Sequence, residues 1–156
     1  VQRTRDGRRR PGLAGKPRSA DTKGTMTTDF PIDSLRFDEN GLIPAIVQHV
    51  ETKDVLMLGF MNRDALLRTV NEGKVCFWSR SRQKFWLKGE TSGMFLQTRA
   101  VRVNCENNSL LVLAEPIGPT CHTGHESCYY REAQSGEWAE IAPVVTPPEE
   151  LYAKVR

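Results

Sequence analysis

The sequence predicts a compact α+β domain of mostly antiparallel strands with one or two short helices. Three observations carry this expectation. Short apolar runs are separated by turn-forming residues, residues 96–105 largely alternate apolar with polar side chains, and only one stretch has helical spacing between cap residues.

In chain order, residues 1–28 are rich in Arg, Gly, Pro, Ser and Thr and poor in apolar side chains. They are expected to form a disordered basic arm. The domain proper is expected over 29–142, with apolar patterning from Leu35. Residues 42–50 and 55–61 read as strands joined through Glu51-Thr52-Lys53-Asp54. Asn62 can cap a helix over 63–72 that Gly73 closes, with Ala65, Leu66, Thr69 and Val70 as its buried face. Residues 75–79 and 85–88 flank the basic turn Arg80-Ser81-Arg82-Gln83-Lys84. Strands follow at 96–105 and 110–114. A Pro/Gly loop over 115–124 then leads into a last strand at 127–131. Residues 143–156, with Pro143, Pro147 and Pro148, are expected to form a C-terminal tail.

Size and charge bound the possibilities. The 156 residues suffice for one domain with a real core. The net charge of +3 is unevenly spread: residues 1–25 hold eight Lys/Arg and two Asp, leaving the remainder about −3. A basic arm on a mildly acidic domain argues against a nucleic-acid-binding fold. The arm reads as a flexible tail or a non-native leader, with Met26 as a candidate start. No apolar run approaches the about 18 residues of a membrane span, and none reads as a signal peptide. A cytoplasmic protein with reduced thiols is expected.

The chemistry concentrates at the cysteines. Cys105, Cys121 and Cys128 are spaced C-x15-C-x6-C, and the last two enclose His122 and His125. Three thiolates are a usual protein share of an open zinc site, which keeps a fourth position for water, and His122 is placed to act as a base. The paired C-x2-C knuckles of a zinc ribbon are missing, as is the His-x-Glu of cytidine-deaminase-like sites. By spacing alone, disulfides and unrelated thiols stay open. Cys76 lies among apolar neighbours and reads as a core residue.

Two further constellations stand out. Asn104, Glu106 and Asn108 alternate, so on a strand their oxygens share one face and could hold a hard cation such as Mg2+, whereas a polar turn is the plainer alternative. Trp78, Arg80, Arg82, Lys84 and Lys88, followed by Glu90, Thr91, Ser92 and Gly93, offer cations and hydroxyls to phosphate oxygens and indoles to a base. A solvated hairpin tip backed by core aromatics is the alternative.

Taken together, several runs resemble the phosphoribosyl-AMP cyclohydrolase family of histidine biosynthesis. They are Gly41-Leu42-Ile43-Pro44-Ala45-Ile46-Val47-Gln48, Val55-Leu56-Met57-Leu58 with Phe60-Met61-Asn62, and Trp78-Ser79-Arg80-Ser81-Arg82. Next come Trp86-Leu87-Lys88-Gly89-Glu90-Thr91-Ser92-Gly93, Gly118-Pro119-Thr120-Cys121-His122-Thr123-Gly124 and Ser127-Cys128-Tyr129-Tyr130-Arg131. The likeness spans residues 35–131. With no second domain behind it, it resembles the single-function form and not a fusion with the pyrophosphohydrolase of the preceding step.

The resemblance implies an enzyme that hydrolyses the N1–C6 bond of an N1-ribosylated adenine, the third step of histidine biosynthesis. It implies zinc held by Cys105, Cys121 and Cys128, with His122 as base. It also implies an intertwined homodimer whose zinc ligands come from both subunits. Trp78, Arg80, Arg82, Lys84, Lys88, Glu90, Thr91, Ser92 and Arg131 become candidates for substrate binding, since phosphoribosyl-AMP carries two phosphates. Neither nucleic acid nor membrane is an implied partner. The family's Mg2+ site is an Asp-Cys-Asp-x-Asp run, and here Asn104, Glu106 and Asn108 replace the three acids. Two lost carboxylates should weaken Mg2+ binding. Met94 also stands where Asn is expected. Two other readings compete: a purine-ring hydrolase with a changed substrate, and a non-catalytic zinc-stabilised domain that binds nucleotide or RNA through Trp78 and Trp86. A fourth zinc ligand from Cys76 or His122 would favour the latter.

Overall fold

A computed structural model describes residues 29–153. The expected arm at 1–28 lies outside the described residues. The main sheet has the order β2-β1-β6-β5, built from β1 (Ile43–His49), β2 (Val55–Met61), β5 (Leu96–Val103) and β6 (Leu110–Pro116). Its outer pairings, β1 with β2 and β5 with β6, are antiparallel, as the short turns demand. The central pairing of β1 with β6 is parallel, which the sequence did not announce.

Between the two hairpins run α1 (Arg63–Glu72) and the small hairpin of β3 (Cys76–Ser79) with β4 (Lys84–Leu87). The helix begins as expected: Asn62 Oδ1 accepts from Ala65 N at 2.8 Å, and Gly73, at φ 69°, ends it. Its inner face of Ala65, Leu66 and Thr69 is fully buried, while Val70 is only partly so. Thr69 Oγ1 accepts from Cys76 N at 2.9 Å and donates to Ala65 O at 2.9 Å, tying helix to hairpin. Cys76 itself is wholly buried, as a core residue should be.

Strand alternation places the core on one face of the sheet. Ala45 pairs with Gly59 and Leu110, and Val47 pairs with Met57 and Val112, so all of these share the inner face. Gly59 is required there because any Cβ would overlap the Phe77 ring of β3. The outer face carries Ile46 beside Leu58, both partly in solvent.

The C-terminal third departs from expectation. Residues 127–130 are not a strand. Cys128 N donates to Leu56 O, and Ser127 Oγ donates to Val55 O, so the segment leans on the start of β2 without forming a ladder. The strand begins at β7 (Arg131–Gln134), which turns through Ser135 and Gly136 into β8 (Glu137–Glu140). Beyond it the chain docks back on the domain. Val145 N donates to Gly124 O, and α2 (Pro148–Leu151) buries Leu151.

Candidate active site

The loop after β6 closes into a tight turn. Thr120 N donates to Glu126 O, Cys121 N to His125 O, and Gly124 N to Cys121 O. Gly124, at φ 85°, supplies the left-handed residue the turn needs. The turn buries Cys121 and His125 while leaving His122 exposed.

A cleft of about 700 Å3 opens beside this turn. Cys121 and Cys128 both line its wall. Cys128 is exposed as a residue, yet its thiol turns inward: burial, then the adjacent Cys121 sulfur, pushes it up to about 12. Lys88, only 9% exposed, lines the same wall. Burial lowers its ammonium, opposed by the nearby Cys128 and Cys121 sulfurs. Without a metal the Cys128 thiol therefore stays protonated, Lys88 opposing burial only weakly, and two sulfurs side by side are a donor set suited to a soft metal that displaces the protons.

Of the sequence candidates, the cleft gathers Arg82, Lys88, Glu90, Thr91, Ser92, Cys121, His122, Cys128 and Arg131. It does not gather Trp78 and Arg80, which line a neighbouring hollow, where the Arg80 guanidinium stacks 3.9 Å from the Phe60 ring centroid. Trp86 borders both hollows. Lys84 is exposed at the start of β4 and lines neither.

Cys105 stands apart. It follows the end of β5, near the Leu110 start of β6, whereas Cys128 lies against Leu56 on the opposite edge strand. The two cysteines thus sit at diagonally opposite corners of the sheet. Among the described residues, no three His, Cys, Asp or Glu side chains converge on one point. Cys121 and Cys128 are thus the sulfur donors that this cleft brings together, and Cys105 lies outside it.

The Asn104–Asn108 turn is closed on itself. Asn104 Nδ2 donates to Asn108 Oδ1 at 2.7 Å, and Asn104 Oδ1 accepts from Asn108 N at 2.9 Å and Ser109 N at 3.0 Å. Asn108 Nδ2 donates to Glu106 Oε2 at 3.2 Å. Amide N–H groups fill the space where carboxylates would face a cation, so this donor set does not fit Mg2+.

Several residues at or beside the cleft were given no role in the sequence reading. Thr120 is buried with its hydroxyl unpartnered, and Tyr130 forms part of the wall. Tyr152 reaches the cleft from the docked tail. His125 is buried and stacks on Tyr130, with ring centroids 3.6 Å apart. Thr120, His125 and Tyr130 all had a local signal, their nearness to Cys121 and Cys128 in the chain, whereas Tyr152 had none. Cys76, in the core, is not available as a fourth zinc ligand to this wall.

The phosphoribosyl-AMP cyclohydrolase family model matches residues 57–130. The chain is 47% identical over 121 residues to a phosphoribosyl-AMP cyclohydrolase of Magnetococcus marinus, covering 78% of this chain and 94% of that one. It is 47% identical over 120 residues to that of Rhodospirillum centenum, covering 77% and 90%. With that of Cupriavidus taiwanensis it shares 41% over 128 residues, covering 79% and 96%.

Proposed function

The chain belongs to the phosphoribosyl-AMP cyclohydrolase family, and from that premise we propose that it opens the purine ring of phosphoribosyl-AMP in histidine biosynthesis. The observation that carries the reading is the single cleft in which Cys121, Cys128, His122, Lys88 and Arg131 come together.

Ribosylation at N1 makes the adenine ring cationic and C6 electron-poor. Water adds its oxygen to C6, the N1–C6 bond breaks, and N1 leaves carrying a proton. A ring nitrogen of His122, exposed on the turn, takes the proton of the attacking water and returns it to N1. Arg82 and Arg131 at the mouth and Lys88 in the wall supply charge for the two phosphates. Trp86 and Tyr130 offer flat apolar surface to the base, and Thr91 and Ser92, next to Gly93, add hydroxyl donors. Glu90, which lines the same cleft, is assigned to accept a hydrogen bond from the exocyclic amine.

Cys121 and Cys128 would hold zinc, which when bound supplies the charge that makes a water acidic near neutral pH. The third ligand in this reading is Cys105 of a second copy, which fits its exposed position far from its own cleft. A homodimer would also cover the outer-face pair Ile46 and Leu58. The Asn104–Asn108 turn is satisfied by its own amides, so this reading assigns it no Mg2+. The cytoplasm, where thiols stay reduced, is the fitting compartment.

The test follows ring opening of phosphoribosyl-AMP spectroscopically with zinc-loaded protein. Wild type should turn over, and Cys121→Ala should lose zinc and activity together. His122→Ala should keep zinc while its rate drops roughly 100-fold or more. Full turnover by a verified zinc-free variant would overturn the assignment of the thiols, and a normal rate in His122→Ala would remove it as the base.

A further inference from the structure

The turn holds a second histidine that the reaction does not use. His125 has only 2% of its surface exposed. Its Nδ1 lies 2.7 Å from Thr123 Oγ1, and that hydroxyl lies 3.0 Å from Cys121 Sγ. A hydroxyl has one proton. With that proton on the sulfur, the hydroxyl accepts from His125, and the arrangement then carries a proton on Nδ1. The other nitrogen, Nε2, is buried with no hydrogen-bond partner and faces Glu140 Oε2 across 4.0 Å. The ring lies flat on Tyr130, tilted by 11°, and Tyr130 in turn forms the wall of the cleft beneath Arg131.

We infer that Thr123 and His125 form a relay that positions the Cys121 sulfur for metal, with His125 orienting the Thr123 hydroxyl and Thr123 donating to the sulfur. Burying a histidine with one nitrogen unpaired costs stability that an apolar side chain would avoid. What the histidine provides in return is directional. Without the Nδ1–H donor, the Thr123 hydroxyl could rotate its proton toward the ring and leave Cys121 without a hydrogen bond. Groups that hydrogen-bond metal ligands fix ligand orientation, and their loss weakens metal affinity by about 10–100-fold. Stacking on Tyr130 couples the same ring to the substrate wall, so metal and substrate surfaces share one rigid turn. His125 and Thr123 are thus positioning residues. The inference rests on the reading of Cys121 as a zinc ligand.

The experiment measures zinc affinity by competition with a chromophoric chelator, alongside the spectrum of the Co2+-substituted protein, for the full chain. Thr123→Val keeps the shape and removes the hydroxyl. His125→Phe keeps the ring on Tyr130 and removes both nitrogens. Each should weaken zinc binding about 10-fold or more while far-UV circular dichroism stays unchanged. In each, the thiolate-to-cobalt band should move to longer wavelength, because a sulfur relieved of an O–H donor holds its electrons less tightly. Thr123→Ser and His125→Asn, which restore a hydroxyl and an N–H, should recover most of the affinity. The double variant Thr123→Val/His125→Phe should lose no more than Thr123→Val alone. Wild-type affinity and spectrum in folded Thr123→Val, or additive losses in the double variant, would overturn the relay while leaving the cyclohydrolase reading intact. A wild-type chain that bound no zinc would instead overturn the ligand assignment and the relay with it.

Discussion

Substitution of Gly124 tests whether the tail and the catalytic turn form one unit. Gly124 has φ 85°, and any Cβ there would overlap Thr146 O. Its own carbonyl accepts from Val145 N at 2.9 Å and Thr146 N at 3.3 Å. Gly124→Ala must therefore push the tail away as well as strain the turn. The left-handed conformation alone costs an alanine about 1 kcal/mol. Losing two hydrogen bonds adds about 1 kcal/mol each. Uncovering Leu151, which is 2% exposed, adds about 2 kcal/mol. The gross cost is about 5 kcal/mol, and entropy returned to the freed tail brings the net nearer 3 kcal/mol. Urea unfolding measures it, with limited proteolysis reporting tail release. The same substitution in a chain ending at residue 142 should cost only the backbone part, about 1 kcal/mol. Equal losses in the long and short chains would refute the idea that the tail is what Gly124 accommodates.

Three further outcomes are expected. Thr69→Val removes a fully buried hydroxyl that satisfies Cys76 N, so urea unfolding should show a loss of about 1–3 kcal/mol with little change in turnover at saturating substrate. In zinc-stripped protein at pH 8, alkylation followed by peptide mass mapping should modify Cys105 first. The Cys128 thiol, pushed up to about 12, is almost wholly protonated at that pH and should react slowly, faster as pH rises. Cys76, whose thiol burial also pushes up, should react only on unfolding. The thermal midpoint and turnover of the wild type should be indifferent to Mg2+, whereas Asn104→Asp/Asn108→Asp should lose stability without Mg2+ and regain it on addition, because three carboxylates then face one another. A Mg2+ response in wild type would mean that the amide turn opens.

What could be read from the sequence was local, and what could not was either non-local or hidden by composition. The helix announced itself through Asn62 and Gly73, because capping depends only on residues within a turn of the cap. The parallel contact of β1 with β6 has no such signal: each strand carries its own alternation, but nothing in either says which neighbour it takes. The β7–β8 hairpin was missed because the strands are exposed and charged and lack an apolar period, although Ser135 and Gly136, both at positive φ, are a turn signal in plain sight. The site divides in the same way. Cys121 and Cys128 are legible together because one short loop carries both. Cys105 matches the same motif set, yet the register sends it to the far corner of the sheet. That position is compatible with the proposed sharing of Cys105 with a second copy, since a ligand donated to a neighbour would point away from its own pocket. The Asn104–Asn108 turn that carries Cys105 is held by its own amides and by Asn107 O, which accepts from Arg36 N at 2.7 Å. Under the proposed sharing, a loop that presented a cysteine to a second copy would gain from a shape fixed beforehand, and these hydrogen bonds supply one.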